Sequence, residues 1–308
     1  MVNKTSFEVV ANLWKEDKKQ YVKISTYSTY CLLVDNHLIP EFMGKEDITE
    51  ELVQTFVLNK LKDGLNEKTI KDILIVLKMI LKFGVKNNML KYNQIEIKFP
   101  TNHEKKVVEV LSRDNQKRMM NYLNNNFTFK NLGIIICLST GLRIGELCAL
   151  RWCDIDINES VIKVRHTIQR IYFVDNKDNK YTKVFVDSPK TKESIRDIPL
   201  SSSLIKVLKP LMKVVRSEYY VLTNDENPIE PRTYRNYYKR LLAKIGIPDI
   251  KFHGLRHSFA TRCIEANSDY KTVSVILGHS SISTTLNLYV HPNNEQKKRC
   301  IDKMLKSL

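Results

Sequence analysis

The sequence predicts a mainly α-helical protein with one small antiparallel β-sheet, arranged as two domains. Apolar residues recur at spacings of three and four through the first hundred positions. Between Ser160 and Leu200 the period shifts towards two, as in strands with one buried face. A polar stretch beginning at Pro100 separates two helical regions, and 308 residues suit two domains better than one core.

Phe7, Val10, Ala11 and Trp14 share one face of a first helix, and Tyr27, Tyr30 and Leu33, after Ser25-Thr26, suggest a second. Asp47 followed by Glu50 is a capping pattern expected to open a third helix carrying Leu52, Val53, Phe56 and Val57. Ile70, Ile73, Leu74, Leu77, Ile80 and Leu81 mark a fourth, with Gly84 near its end. Lys and polar residues fill the opposite faces, giving a small basic helical domain over residues 1–100. Residues 101–110 read as a linker, and residues 111–292 as the second domain. There Ser112 looks like the N-cap of a helix containing Met119, Met120 and Leu123, and Leu132–Leu138 forms a buried helix. Strands are expected at Val161–Val164, Thr167–Phe173, Lys183–Val186 and Arg196–Leu200, with turn chemistry at Asp175–Asn179. Helices resume at Leu204–Val215 and at Pro231–Ile245, where Pro231 suits the first helical position. Residues 293–308 space Ile301, Met304, Leu305 and Leu308 as an amphipathic helix.

Hydrophobic residues at 43% and charged residues at 27% exclude a mostly disordered or collagen-like chain. The longest apolar stretches, Ile73–Leu77 and Ile134–Leu138, are too short to span a bilayer, and the N-terminus lacks the apolar core of a signal peptide. The expected setting is therefore soluble and cytoplasmic. Six scattered cysteines (Cys31, Cys137, Cys148, Cys153, Cys263 and Cys300) lack metal-site or redox spacing and read as reduced structural thiols. Fifty Lys and Arg against 34 Asp and Glu leave a net charge of +16. The cations are spread along the chain, so the expected partner is nucleic acid and not a membrane surface.

Four of the seven histidines lie near the C-terminus: His253, His257, His279 and His291. His253-Gly254-Leu255-Arg256-His257 opens a helix and sets His253 and Arg256 on one face. Gly278 is expected to cap the next helix in the left-handed conformation, before His279. His279-Ser280-Ser281-Ile282-Ser283-Thr284-Thr285 begins a further short helix that delivers Tyr289. Upstream, Gly141 and Arg143 stand at a turn into a helix, with Glu146 one turn on. Two arginines, two histidines and a tyrosine describe an anion site with a nucleophile. Guanidinium forks match phosphate oxygens, imidazoles donate to them, and a strongly positive pocket would lower the phenol pKa. His257 reads as a satisfied core histidine.

Thr140–Leu147, His253–His257, Leu277-Gly278-His279 and Thr284-Thr285 through Tyr289-Val290-His291 closely resemble the motifs of the tyrosine recombinases, the phage-integrase family. Ser188-Pro189-Lys190-Thr191-Lys192 through Ile198-Pro199-Leu200 fits the family's hairpin lysine pattern. The first domain more loosely resembles the family's core-site-binding domain, including Lys23-Ile24-Ser25-Thr26-Tyr27. The resemblance implies a helical core-binding domain followed by an α+β catalytic domain. Tyr289 would attack a DNA phosphate, Arg143 and Arg256 would clamp it, His253 and His279 would add donors, and Lys190 would protonate the leaving oxygen. Glu146, Gly141 and His291 would support the site. Lys23, Ser25, Thr26, Tyr27 and Lys192 are expected at phosphates, with N-capping an equal account of the hydroxyls and Lys192 the alternative acid. Neither metal nor cofactor is implied. The implied partners are double-stranded recombination sites, a homotetramer on two sites and an accessory directionality protein, with the terminal helix docking in trans.

The longer Thr167–Pro189 excursion and the Pro-Lys-Thr sequence look more like integrases of mobile elements than Xer-type dimer resolvases. Helices beginning near Ser6 leave no room in this chain for an arm-binding domain, so the expectation is either a two-domain recombinase or a chain that lacks an N-terminal part. A DNA-binding protein that kept the fold without the reaction, or a type IB topoisomerase, is the rival reading. The first would form no covalent adduct, and the second would relax DNA without paired sites.

Overall fold

The computed structural model describes residues 5–91, 94–100, 109–174, 180–189, 191–289, 298, 301–302 and 304–305. Contacts divide the chain into two units, Met1–Lys105 with Ile171–Lys183, and Lys106–Arg170 with Val184–Leu308.

The first unit is built from α1 (Phe7–Lys19), α2 (Ile24–Leu33), α3 (Ile39–Phe42), α4 (Glu50–Lys62) and α5 (Glu67–Lys86). Its core holds Phe7, Val10, Ala11 and Trp14 from α1 against Val53, Phe56 and Val57 from α4 and Ile70, Ile73, Leu77 and Ile80 from α5. The three-and-four spacing of apolar residues therefore marks the buried faces. The cap of α4 is not Asp47: the Thr49 hydroxyl accepts from the Leu52 N–H at 3.3 Å, so the helix starts later than the Asp47–Glu50 pattern suggested. Between α2 and α3 the backbone widens into a π turn, Val34–Leu38, where the Ile39 N–H donates to Val34 five residues back. Pro40 follows at the start of α3, and its missing N–H and bulky ring disrupt the ordinary four-residue ladder.

The second unit opens with α6 (Arg113–Asn125), whose Ser112 cap accepts from the Asn115 N–H at 3.2 Å as expected. Next comes α7 (Phe129–Thr140), buried almost throughout, and α8 (Ile144–Ala149). Strands β1 (Ile155–Asp156), β2 (Val161–Val164), β3 (Thr167–Val174), β4 (Lys180–Asp187) and β5 (Arg196–Pro199) come next in the chain, β3 and β4 each lying partly in the Ile171–Lys183 segment grouped with the first unit. They form two sheets where one was expected: β1-β2-β5, and β3 with β4. Antiparallel partners occupy both edges of β2, Ile162 facing Ile155 and Ile198, so the longer strands pair with each other. The chain continues through α9 (Ser202–Leu211), α10 (Pro231–Lys244), α11 (His253–Glu265), α12 (Tyr270–Leu277) and α13 (Ile282–Tyr289). Among the described residues no helix is long and apolar enough to cross a membrane. The linker (apart from Glu109 and Val110), the Asp175–Asn179 turn and most of the 293–308 tail lie outside the described residues.

Candidate active site

Two glycines fix the frame of the site. Gly141 ends α7 at φ +67°, and a Cβ there would sit 2.7 Å from Leu277 and Phe259. Gly278 ends α12 at φ +65°, where a Cβ would sit 2.9 Å from the Glu193 carbonyl. Only glycine meets both demands without strain. The turn after Gly141 puts Arg143 immediately before α8.

Arginines fasten onto the carbonyls at these two helix ends. Arg256, on α11 and only 2% exposed, donates from Nη1 to Gly141 at 2.9 Å and from Nη2 to Leu277 at 2.8 Å. Arg143 donates from Nη2 to Gly278 at 2.8 Å and from Nη1 to Glu146 at 2.7 Å. Terminal carbonyls lack helical partners and carry the negative end of the helix dipole, so they suit a guanidinium. Burial, then the charge of Arg143, presses the Arg256 pKa down, yet a guanidinium stays protonated in a protein. Arg143 keeps about a third of its side chain, 34%, in solvent, which leaves one cation open to an incoming anion.

Glu146 was expected to orient Arg143 or a histidine. It holds Arg143, and it holds Arg196 as well: Arg196 Nη1 and Nη2 donate to the two carboxylate oxygens at 3.1 and 3.0 Å. Arg196 also donates to the Ser194 and Ile276 carbonyls. Sequence reading missed Arg196, although alternation along β5 turns it to the same buried face as Ile198. A charge at such a position requires a partner. Burial raises the Glu146 pKa, but the hydrogen bonds and charge of Arg196, with Arg143, outweigh it and leave the carboxylate below its usual value.

His279 follows Gly278, and its Nδ1 lies 2.8 Å from the hydroxyl of the fully buried Thr285. Removal from solvent, then Arg256 and Arg143, push its pKa down to about 4. His253 opens α11 with an exposed edge, but crowding of the rest of its ring, together with His257, Arg256 and Arg143, also holds it low. Both rings are neutral at pH 7 and offer one N–H each.

Tyr289 ends α13 and is 8% exposed. Its hydroxyl lies 2.6 Å from Nδ1 of His257, whose ring packs edge-to-face on His253 with centroids 4.6 Å apart. Two expectations change here. His257 is not a histidine satisfied within the core but a half-buried neighbour of the phenol; its place one helical turn beyond His253 was the available signal. The phenol pKa is raised and not lowered, because burial outweighs the charges of Arg256 and Arg143.

Lys190 and His291 lie outside the described residues. Lys192 is exposed at the start of a short 3₁₀ turn, Lys192–Ser194. In the first unit, Lys23 precedes α2, and Ser25 and Thr26 fall in its first turn without supplying the cap. Tyr27 hydrogen-bonds Cys31, and burial raises its pKa. Among the described residues no group of three or more His, Cys, Asp or Glu is placed to hold a metal ion. The residues form a cluster in which Arg143 and Arg256 grip the ends of α7 and α12 and the Tyr289 phenol lies against His257.

Residues 109–296 match the phage integrase family, and residues 6–62 match its N-terminal SAM-like domain. A tyrosine recombinase XerC-like protein of Caldanaerobacter subterraneus subsp. tengcongensis is 34% identical over 266 residues, 79% of this chain and 68% of the relative. The ICEBs1 integrase of Bacillus subtilis is 24% identical over 97% of this chain and 82% of its own length. The solved Tn1549 transposon integrase in complex with transposon right end DNA has the same fold, with TM-score 0.75 and 20% identity, covering 98% of this chain and 100% of that one. With its motifs gathered around Tyr289, the chain belongs to the phage integrase family, the tyrosine recombinases that break and rejoin DNA.

Proposed function

We propose that this recombinase uses Tyr289 to attack the scissile phosphate of a double-stranded DNA site, forming a 3′-phosphotyrosyl link and freeing a 5′-hydroxyl. Arg143 and Arg256 hold the non-bridging oxygens and stabilise charge on the five-coordinate transition state. His253 and His279 add N–H donors, and Lys190 protonates the leaving oxygen. The covalent link conserves the phosphodiester's energy, so rejoining needs no ATP. One observation carries this reading: main-chain carbonyls at the ends of α7 and α12 hold both guanidiniums, Arg256 and Arg143, in the unit whose α13 ends in Tyr289.

The substrate is a mobile element, integrated and excised in the cytoplasm by a homotetramer on two sites through a Holliday junction, with a directionality protein for excision. Likeness to the ICEBs1 integrase over nearly the whole chain supports this choice. Xer-type dimer resolution is the second reading, favoured by the higher identity of the XerC-like relative. Mapping the two partner sites separates them, since a resolvase joins two copies of one site and an integrase joins two different ones.

The test uses a nicked half-site cut from DNA that the protein selects out of a random library. The wild type should form a covalent adduct. Tyr289→Phe should bind the same DNA and form none; an adduct persisting in that variant overturns the reading.

A further inference from the structure

We infer that Thr285 is a positioning residue that sets which nitrogen of His279 carries hydrogen. Its hydroxyl donates to Nδ1, so Nε2 keeps the N–H and presents it to the scissile phosphate. This role rests on His279 being a phosphate donor and adds the group that makes it one.

Thr285 is fully buried, and its Oγ1 lies 2.8 Å from Nδ1 of His279. Among the described residues that nitrogen is the hydroxyl's one hydrogen-bond partner. A buried hydroxyl needs an acceptor for its proton. Were Nδ1 the protonated nitrogen, it would donate to Thr285, and the threonine O–H would be enclosed with nothing to receive it. Donation from Thr285 to a bare Nδ1 satisfies both groups. The imidazole is neutral at pH 7, because burial and then Arg256, Arg143, Arg196 and His253 hold its pKa down at about 4. A neutral ring carries one hydrogen, which therefore stands on Nε2.

His279 stands beside the clamp. It directly follows Gly278, whose carbonyl accepts from Arg143 at 2.8 Å, and Leu277 one residue earlier accepts from Arg256 at 2.8 Å. Its ring is only partly enclosed, and among the described residues its one hydrogen bond is the contact from Nδ1 to Thr285, which leaves Nε2 for a ligand. Thr285 and Tyr289 are four residues apart on α13 and share a face of that helix. Tyr289 packs there with Ala260, Val273 and Leu277. One helix thus carries both the nucleophile and the hydroxyl that readies the donor, so the donor is set only while α13 is seated.

Nitrogen NMR of the 15N-histidine-labelled full chain, assigned with His279→Gln, reads both ring nitrogens directly. His279 should show a bare Nδ1 and a protonated Nε2. A protonated Nδ1 in the wild type overturns the proposal, whatever any variant does. Thr285→Val removes the hydroxyl but keeps the branched shape, and should bring the Nδ1–H form into the population. Thr285→Ser keeps the hydroxyl and should retain the wild-type pattern. Cleavage of the selected half-site by Thr285→Val should be slower by about 10–100-fold at unchanged DNA affinity, the order lost when a histidine's orienting partner is removed. Thr285→Ser should cleave within a few-fold of wild type. In a His279→Ala background, adding Thr285→Val should slow cleavage no further, because the group it acts through is gone. Equal slowing in both backgrounds shows that Thr285 only supports α13, and overturns this proposal alone. A wild type that forms no adduct at all overturns the Tyr289 reading and takes this role with it.

Discussion

Glu146 carries two arginines on one carboxylate while only 3% of its side chain is exposed, and Arg196 is nearly as enclosed at 5%. Removing one member of a buried ion pair strands the other in a low-dielectric setting, at a cost of about 3–5 kcal/mol. Arg196→Met should lower unfolding stability by that order in denaturant titrations, and cleavage should fall as Glu146 and Arg143 shift. Unaltered stability would show that Arg196 is dispensable. The wild-type pair also carries a pH signature. The folded Glu146 pKa lies below its unfolded value, so its stabilisation is complete above the unfolded value and is lost as pH falls through the folded one. At this scale Arg143, Arg256, His253, His279 and Tyr289 were legible because each sits in a motif with fixed spacing. Arg196 was not, because its partners lie 50 and 80 residues away in sequence. His257 was not, because its partner is brought in from α13 by packing.

Two helices, α7 and α12, end in left-handed glycines whose surroundings leave no room for a side chain. Gly278→Ala would incur about 1–2 kcal/mol for the conformation alone. The close approach to the Glu193 carbonyl adds to that and displaces the carbonyl holding Arg143. The variant should therefore melt lower and cleave more slowly than the stability loss alone explains; equal melting and cleavage would sink this account. Helix faces were legible in the sequence since burial imposes their period. The start of α4 was not, because Thr49 and Asp47 offer equally good capping oxygens and only tertiary context chooses. The split into two sheets escaped for a related reason: alternation reveals a strand's faces but not which strand lies at its edge.

For the whole chain, a charge of +16 and the proposed DNA partner make a joint prediction. Neutralising 6–10 phosphates should weaken binding by about 10³–10⁵-fold between 50 and 200 mM salt. Gel-shift titrations across that range check it, and salt-independent affinity would leave the excess charge unexplained. The two contact units part between Lys105 and Lys106, and the grouping of Ile171–Lys183 with the first unit had no sequence signal.

Main-chain oxygens at the ends of α7 and α12 grip the arginines beside Tyr289. Nearby residues can therefore change without rebuilding those anchor points. Such a catalyst can acquire new targets by altering what it reads while leaving untouched how it cuts. Chemistry and addressing become separately heritable.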